Sequence, residues 1–162
     1  MQTKASECFM NVIDEFVSKF GAHLSLKKSL IIENKNRYFL LNENLRRLVD
    51  KNFFYAGAYL GKIKGEKFFP SFILLKMIAN SKATKIYVDA KAAWLFICRR
   101  DIFKQGIVKI EGFKKKGAYT LVLNQYGECL GFGRILCDLY EEIGKVVIKN
   151  VSDIGDFLRR ER

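Results

Sequence analysis

The chain has 162 residues, 49% of them hydrophobic, enough for one large core or two small ones and too many for a disordered polymer. A net charge of +12 is shared by both halves, with 14 Lys and Arg against 7 Asp and Glu before residue 84 and 15 against 10 from there on; such a balance favours a polyanionic partner, because each neutralised phosphate releases counterions. One His, four Cys without C-x-x-C spacing and no apolar run of about 18 residues argue against a zinc site and a membrane span.

Cys8, Phe9, Val12, Ile13, Phe16, Val17 and Phe20 recur at steps of three and four and predict an amphipathic helix over residues 6–20, ended by Gly21. Leu30-Ile31-Ile32 and Tyr38 to Leu41 flank Asn34-Lys35-Asn36, residues that tolerate positive φ, and predict a hairpin. His23, with no second ligand or nucleophile at motif spacing, reads as a surface or capping residue. Asn42 caps a short helix with Leu45, Leu48 and Val49 facing inward and Arg46-Arg47 outward. Residues 53–63 read as a strand interrupted by Gly57 and Gly61, paired with 67–69 through Lys64-Gly65-Glu66. Pro70-Ser71 opens an apolar helix over 72–78, and Asn80 to Thr84 reads as a polar hinge.

After the hinge, Ile86 and Val88 alternate with Lys85, Tyr87 and Asp89, as on a strand with one apolar face. Asp89 then stands at a helix N-cap. Ala92, Ala93, Leu95, Phe96 and Ile97 make the following helix nearly all apolar, so it is expected to be largely buried. Residues 108–112, 119–123 and 130–136 read as a meander with turns at Lys114 to Gly117 and Asn124 to Gly127. A last strand over 145–150 is expected to turn Val146 and Ile148 to the core and Lys145 and Lys149 to the other face, ahead of a short terminal helix. Most of the cysteines fall in apolar segments, as core thiols of a reducing compartment do.

Several of these stretches carry a family likeness. Residues 85–110, Lys104-Gln105-Gly106 in the turn and Cys129-Leu130-Gly131-Phe132-Gly133 in a strand resemble a PUA domain, the small RNA-binding module of pseudouridine synthases, archaeosine transglycosylases and ribosome-assembly factors. Ser152-Asp153-Ile154-Gly155-Asp156-Phe157-Leu158-Arg159-Arg160-Glu161 resembles the ending of the Nip-seven family of large-ribosomal-subunit biogenesis factors. Ala58-Tyr59-Leu60-Gly61-Lys62-Ile63 resembles a strand of that family's N-terminal domain. Cys98-Arg99 stands where the family commonly has Gly.

The resemblance implies an α+β protein: residues 1–83 an antiparallel sheet with flanking helices, residues 84–162 a PUA pseudobarrel; with a strand, an apolar helix and later strands of its own, 85–162 is expected to fold alone. It implies a non-catalytic RNA-binding factor in large-subunit assembly and pre-rRNA processing, acting on pre-ribosomal particles with assembly factors. No cofactor is implied. The compact ends suggest an archaeal protein, which would be cytoplasmic, whereas a eukaryotic one would be nuclear or nucleolar; a monomer is expected. A protein-docking scaffold for assembly factors or an RNA-degrading complex, and a translation factor, are the rival readings.

The residues themselves agree with binding rather than chemistry. One His leaves no acid–base triad, and Gly131-x-Gly133 lacks the third glycine and following helix of a dinucleotide loop. The candidate RNA contacts are Arg99, Arg100 and Lys104 around the helix end, Lys114, Lys115 and Lys116 in a turn, Arg134 after the glycine strand, and Lys145 and Lys149 on the last strand. Each also has a purely structural use: helix-dipole complement for the two arginines, a solvated hairpin tip for the lysine run, protection of a sheet edge for the last pair.

Overall fold

The computed structural model describes residues 12–49, 53–112, 115–137, 139 and 144–160. Helix α1 is seen over 12–18 and closes through Gly21, whose N–H donates to the Ser18 carbonyl at 2.9 Å; the expected turns before residue 12, with Cys8 and Phe9, lie outside the described residues. The first sheet holds β1 (Ile31–Asn34), β2 (Arg37–Leu40), β3 (Ala58–Lys64) and β4 (Lys67–Pro70), antiparallel throughout in the order β1-β2-β3-β4. Lys35 and Asn36, at φ 52° and 62°, make the two-residue turn of the β1–β2 hairpin. Helix α2 (Glu43–Leu48) begins where Asn42 Oδ1 accepts from Leu45 N–H at 2.7 Å, and α3 (Phe72–Ala79) where Ser71 Oγ accepts from Leu74 N–H at 3.1 Å.

The second sheet holds β5 (Lys85–Val88), β6 (Ile102–Phe103), β7 (Ile107–Glu111), β8 (Tyr119–Leu123), β9 (Cys129–Ile135) and β10 (Val146–Asp153) in the order β6-β10-β9-β8-β5-β7. Helix α4 (Ala90–Ile97) follows β5, capped by Asp89 Oδ1 on Ala92 N–H at 2.7 Å, and α5 (Ile154–Arg160) follows β10. The fold is therefore α+β, an antiparallel four-stranded sheet followed by a curled six-stranded one of pseudobarrel form.

Several expectations change. β7 does not pair with β8: β5 lies between them, antiparallel to β7 and parallel to β8, so only β8-β9-β10 is a meander. Residues 53–57 are not strand, and β3 starts at Ala58. Leu48 is 82% exposed, because α2 stops after six residues and turns only Leu45 and Val49 toward the small core of Phe39, Leu41 and Ala56. Helix α4 buries Ala92 and Phe96 but leaves Trp94 65% exposed and Leu95 partly so, since the sheet covers one side of it only. Cys98 at its end is exposed, and Cys129 and Cys137 are half-buried.

The alternation expected in the last strand fails at a bulge. Val146 pairs with Phe103 and Ile148 with Ile102, so Val147 is the extra residue, and Val147 and Ile148 are both buried. The strand also runs three residues past Asn150. Nor is the 80–84 stretch a loose hinge: Ala83 and Thr84 are buried, Thr84 N–H donates to the Phe20 carbonyl at 2.8 Å, and its carbonyl accepts from Leu121 N–H at 3.0 Å.

Candidate nucleic-acid interface

β9 can lie against β10 because of its glycines. Gly131 has φ 147°, and a Cβ there would run into the Ser152 carbonyl, so the backbones approach more closely than any side chain allows. That approach brings Arg134 of β9 opposite Lys149 of β10 and, on its other side, opposite Tyr119 of β8. A cross-strand row results, phenol then guanidinium then ammonium, each about 5 Å from the next along the backbone. Arg134 Nε donates to the Gly117 carbonyl at 3.3 Å, which draws the turn carrying Lys115 and Lys116 to the same end of the row. Lys114 lies outside the described residues.

The other end of the row is held by carboxylates. Lys149 Nζ reaches Asp101 Oδ2 at 3.0 Å, while Asp101 Oδ1 accepts from Asn150 N–H at 2.9 Å. Asn150 Nδ2 donates to the Phe96 carbonyl at 2.7 Å and to Asp153 Oδ2 at 3.2 Å, and Asp153 Oδ1 accepts from Asp156 N–H at 2.7 Å, capping α5. Asp156 pairs with Arg99, whose φ of 66° is the left-handed conformation that a helix end usually reserves for Gly. Asp153 and Asp156 are almost fully buried, and this chain of partners ties α4, β10 and α5 together. Asp153 and Asp156 are thus used in folding, and Arg99 is paired with the second of them.

The remaining candidates fall in two places. Lys104 N–H donates to the Lys145 carbonyl at 3.1 Å, so these two residues sit side by side where β6 meets β10. Arg100 is exposed beside Asp101. The candidates therefore divide into a row of Lys115, Lys116, Arg134 and Lys149, a pair of Lys104 and Lys145, and the arginines of the α4 end.

A feature absent from the sequence reading adjoins the row. A cleft of about 630 Å3 opens between α1, the β3–β4 hairpin and the outer face of the second sheet, with Tyr119, Phe68 and Phe132 among its walls. Its residues are spread over 140 positions of chain, and only the Lys67-Phe68-Phe69 run, basic beside aromatic, offered a local signal.

Residues 84–162 match the family model described as the UPF0113 PUA domain. The C-terminal half is a PUA domain. Nearly the whole chain also has the fold of a conserved PUA-domain protein from Thermoplasma acidophilum, at 21% identity, TM-score 0.62 and coverage of 96% of this chain and 95% of that one. A hypothetical protein from the hyperthermophilic archaeon Pyrococcus horikoshii OT3 gives 18% identity, the same TM-score and the same coverages. With a PUA domain from Aeropyrum pernix K1, crystallised as a tartrate complex, the identity is 20% and the TM-score 0.49, over 57% of this chain and 55% of that chain; the match thus spans about half of that protein's length. No curated protein matches. Among the described residues no helix is long and apolar enough to cross a membrane.

Proposed function

We propose that this protein is a non-catalytic, cytoplasmic RNA-binding factor of large ribosomal subunit assembly, as its likeness to the Nip-seven family implies, working on pre-ribosomal RNA beside other assembly factors. PUA domains bind RNA, and the observation that carries the reading for this chain is the Tyr119–Arg134–Lys149 row. A guanidinium and an ammonium held on rigid neighbouring strands lose little freedom when they meet phosphates, and the phenol at the end of the row offers a stacking face. Asp101 restrains Lys149 without enclosing it, since that side chain is 60% exposed, so a phosphate can take the carboxylate's place.

Measured across a salt series with a single-stranded oligonucleotide, Arg134→Ala and Lys149→Ala should each weaken binding for all sequences and reduce the log–log salt slope by about 1. Binding unchanged in both variants, with a slope that falls only when Lys104 and Lys145 are replaced, would move the surface to the β6–β10 edge. Co-sedimentation with large-subunit precursors rather than mature particles tests the assembly role.

A docking role has its own observation. Leu48, Phe54 at 81% exposure and Tyr55 are exposed large apolar side chains of the N-terminal half, Tyr55 resting on Phe39 of its small core, and such side chains suit a protein partner. A complex formed there should be insensitive to salt.

A further inference from the structure

The cleft lies beside the basic row and shares Tyr119 with it. Its lining is aromatic: the half-buried Phe68 and Tyr119 border it, with the buried Phe16 and Phe132 packed behind them, Phe16 lying 5.3 Å from Phe68, 5.6 Å from Phe132 and 6.4 Å from Tyr119, centroid to centroid. Its mouth is charged with both signs. Lys19 stands 6.0 Å over the Tyr119 ring and within 3.7 Å of Glu15, and Glu66 and Lys67 face them from the β3–β4 turn. At about 630 Å3 it falls in the range of small-molecule sites, roughly 300–1,000 Å3.

Two connections join it to the row. Tyr119 belongs to both, as the end of the row and as part of the wall. Val151 and Ser152, further along β10 from Lys149, also line the cleft; Val151 is two residues on, about 7 Å at the usual rise, a separation one nucleotide spans. A strand whose phosphate rests on Arg134 and Lys149 therefore has its neighbouring nucleotide at the mouth.

We propose that this cleft takes one unstacked nucleobase of the bound RNA, an inference that rests on the RNA-binding reading. Base faces stack on rings whatever the sequence, so the pocket fixes the register of the strand and not its letters. The acidic groups decide which part of the nucleotide enters. In a chain of +12, Glu15 and Glu66 at the mouth repel phosphate, while Lys19 and Lys67 beside them hold it outside, so the backbone stays on the cations and the base turns in.

The test uses the full chain and a ten-nucleotide oligouridine. Tyr119→Leu removes a wall ring, and Val151→Trp fills the space from a half-exposed position; thermal unfolding checks that each folds. Both should weaken binding about tenfold with the salt slope unchanged, because no phosphate contact is lost, whereas Arg134→Ala lowers the slope. An oligonucleotide carrying a single 4-thiouridine, moved along the ten positions, should crosslink to peptides containing Phe68 or Tyr119. Parental affinity in both variants, with crosslinks only elsewhere, overturns the base pocket and leaves RNA binding intact. Loss of any salt-dependent RNA binding in the parent overturns both readings. Protection of the cleft peptides by a copurifying protein but not by the oligonucleotide overturns the proposal in favour of a peptide site.

Discussion

The inner face of the second sheet is filled by its own half of the chain, with Ile86, Val88, Phe96, Val122, Ile135 and Ile148 packed on one another, whereas the outer face is finished by the other half. There Leu121, Leu123 and Phe132 meet Ile13, Phe16, Val17 and Phe20 of the α1 region and Leu74, Leu75 and Ile78 of α3 in a single cluster. Backbone bonds reinforce that seam, from Tyr119 N–H to the Lys19 carbonyl at 3.0 Å and from Thr84 N–H to the Phe20 carbonyl at 2.8 Å. One face makes a barrel. The other makes the chain a single body and, where α1 and the β3–β4 hairpin stop short of each other, leaves the cleft.

Excising residues 85–162 breaks the comparison most severely. The inner core stays complete, so the fragment should still unfold cooperatively, but with its outer face bare it should bind a hydrophobic dye strongly and unfold at a lower temperature than the full chain. A fragment as stable as the parent, with no dye binding, would mean that the outer cluster contributes little.

Phe16→Ala attacks the same seam from within the intact chain. The ring has edge-to-face neighbours in Phe20, Phe68, Tyr119 and Phe132, and removing a buried Phe typically costs about 3–5 kcal/mol. Because Phe68 is in the first sheet and Phe132 in the second, the loss should lower a single common transition in denaturant. Two separated transitions would show that the halves are independent.

Much of this organisation was legible in the chain because its signals are local. Lys35 and Asn36 tolerate the positive φ of a hairpin, Asn42, Ser71 and Asp89 are capping side chains next to apolar runs, and Ile86 and Val88 alternate as an inner face must. The long-range arrangements carry no such mark. Nothing near Lys85 announces that β5 will lie between β7 and β8, and a one-residue bulge at Val147 leaves the apolar run Val146-Val147-Ile148 looking like any other. Periodicity finds that α4 is apolar but not that only one side of it is covered, hence the exposed Trp94. The basic candidates were found as types; which of them stand together depends on register, through Tyr119, Arg134 and Lys149, and on the carboxylates that claim Arg99.

Asp153→Ala should have a smaller effect, confined to the inner half. The carboxylate caps α5 through Asp156 N–H and receives Asn150 Nδ2; losing the cap costs about 1–2 kcal/mol, while Asn150 Nδ2 keeps its bond to the Phe96 carbonyl. Hydrogen exchange should quicken in α5 and at the α4 end and stay unchanged in α1. Faster exchange in α1 would show that the network reaches across the sheet.

The smallest effect is chemical and needs no substitution. Cys129, at the start of β9, packs against the outer cluster, and burial pushes its thiol up to about 11 from an ordinary 9.0, the neighbouring Gly131 backbone offsetting only part of that. At pH 8 its thiolate is on the order of one part in a thousand, and the ring-lined seam covers it besides. Cys98 is exposed at the end of α4. An alkylating reagent at pH 8 should therefore label Cys98 promptly and Cys129 only as the seam opens, so that the rate at Cys129 rises in Phe16→Ala and stays at the parental value in Asp153→Ala. The same shift has a consequence for stability. The folded chain keeps a proton that the unfolded chain releases, so the contribution is whole below pH 9 and is lost as pH rises from 9.0 toward 11. Equal labelling of both cysteines in the parent at pH 8 would mean that the outer face opens far more readily than the inner one.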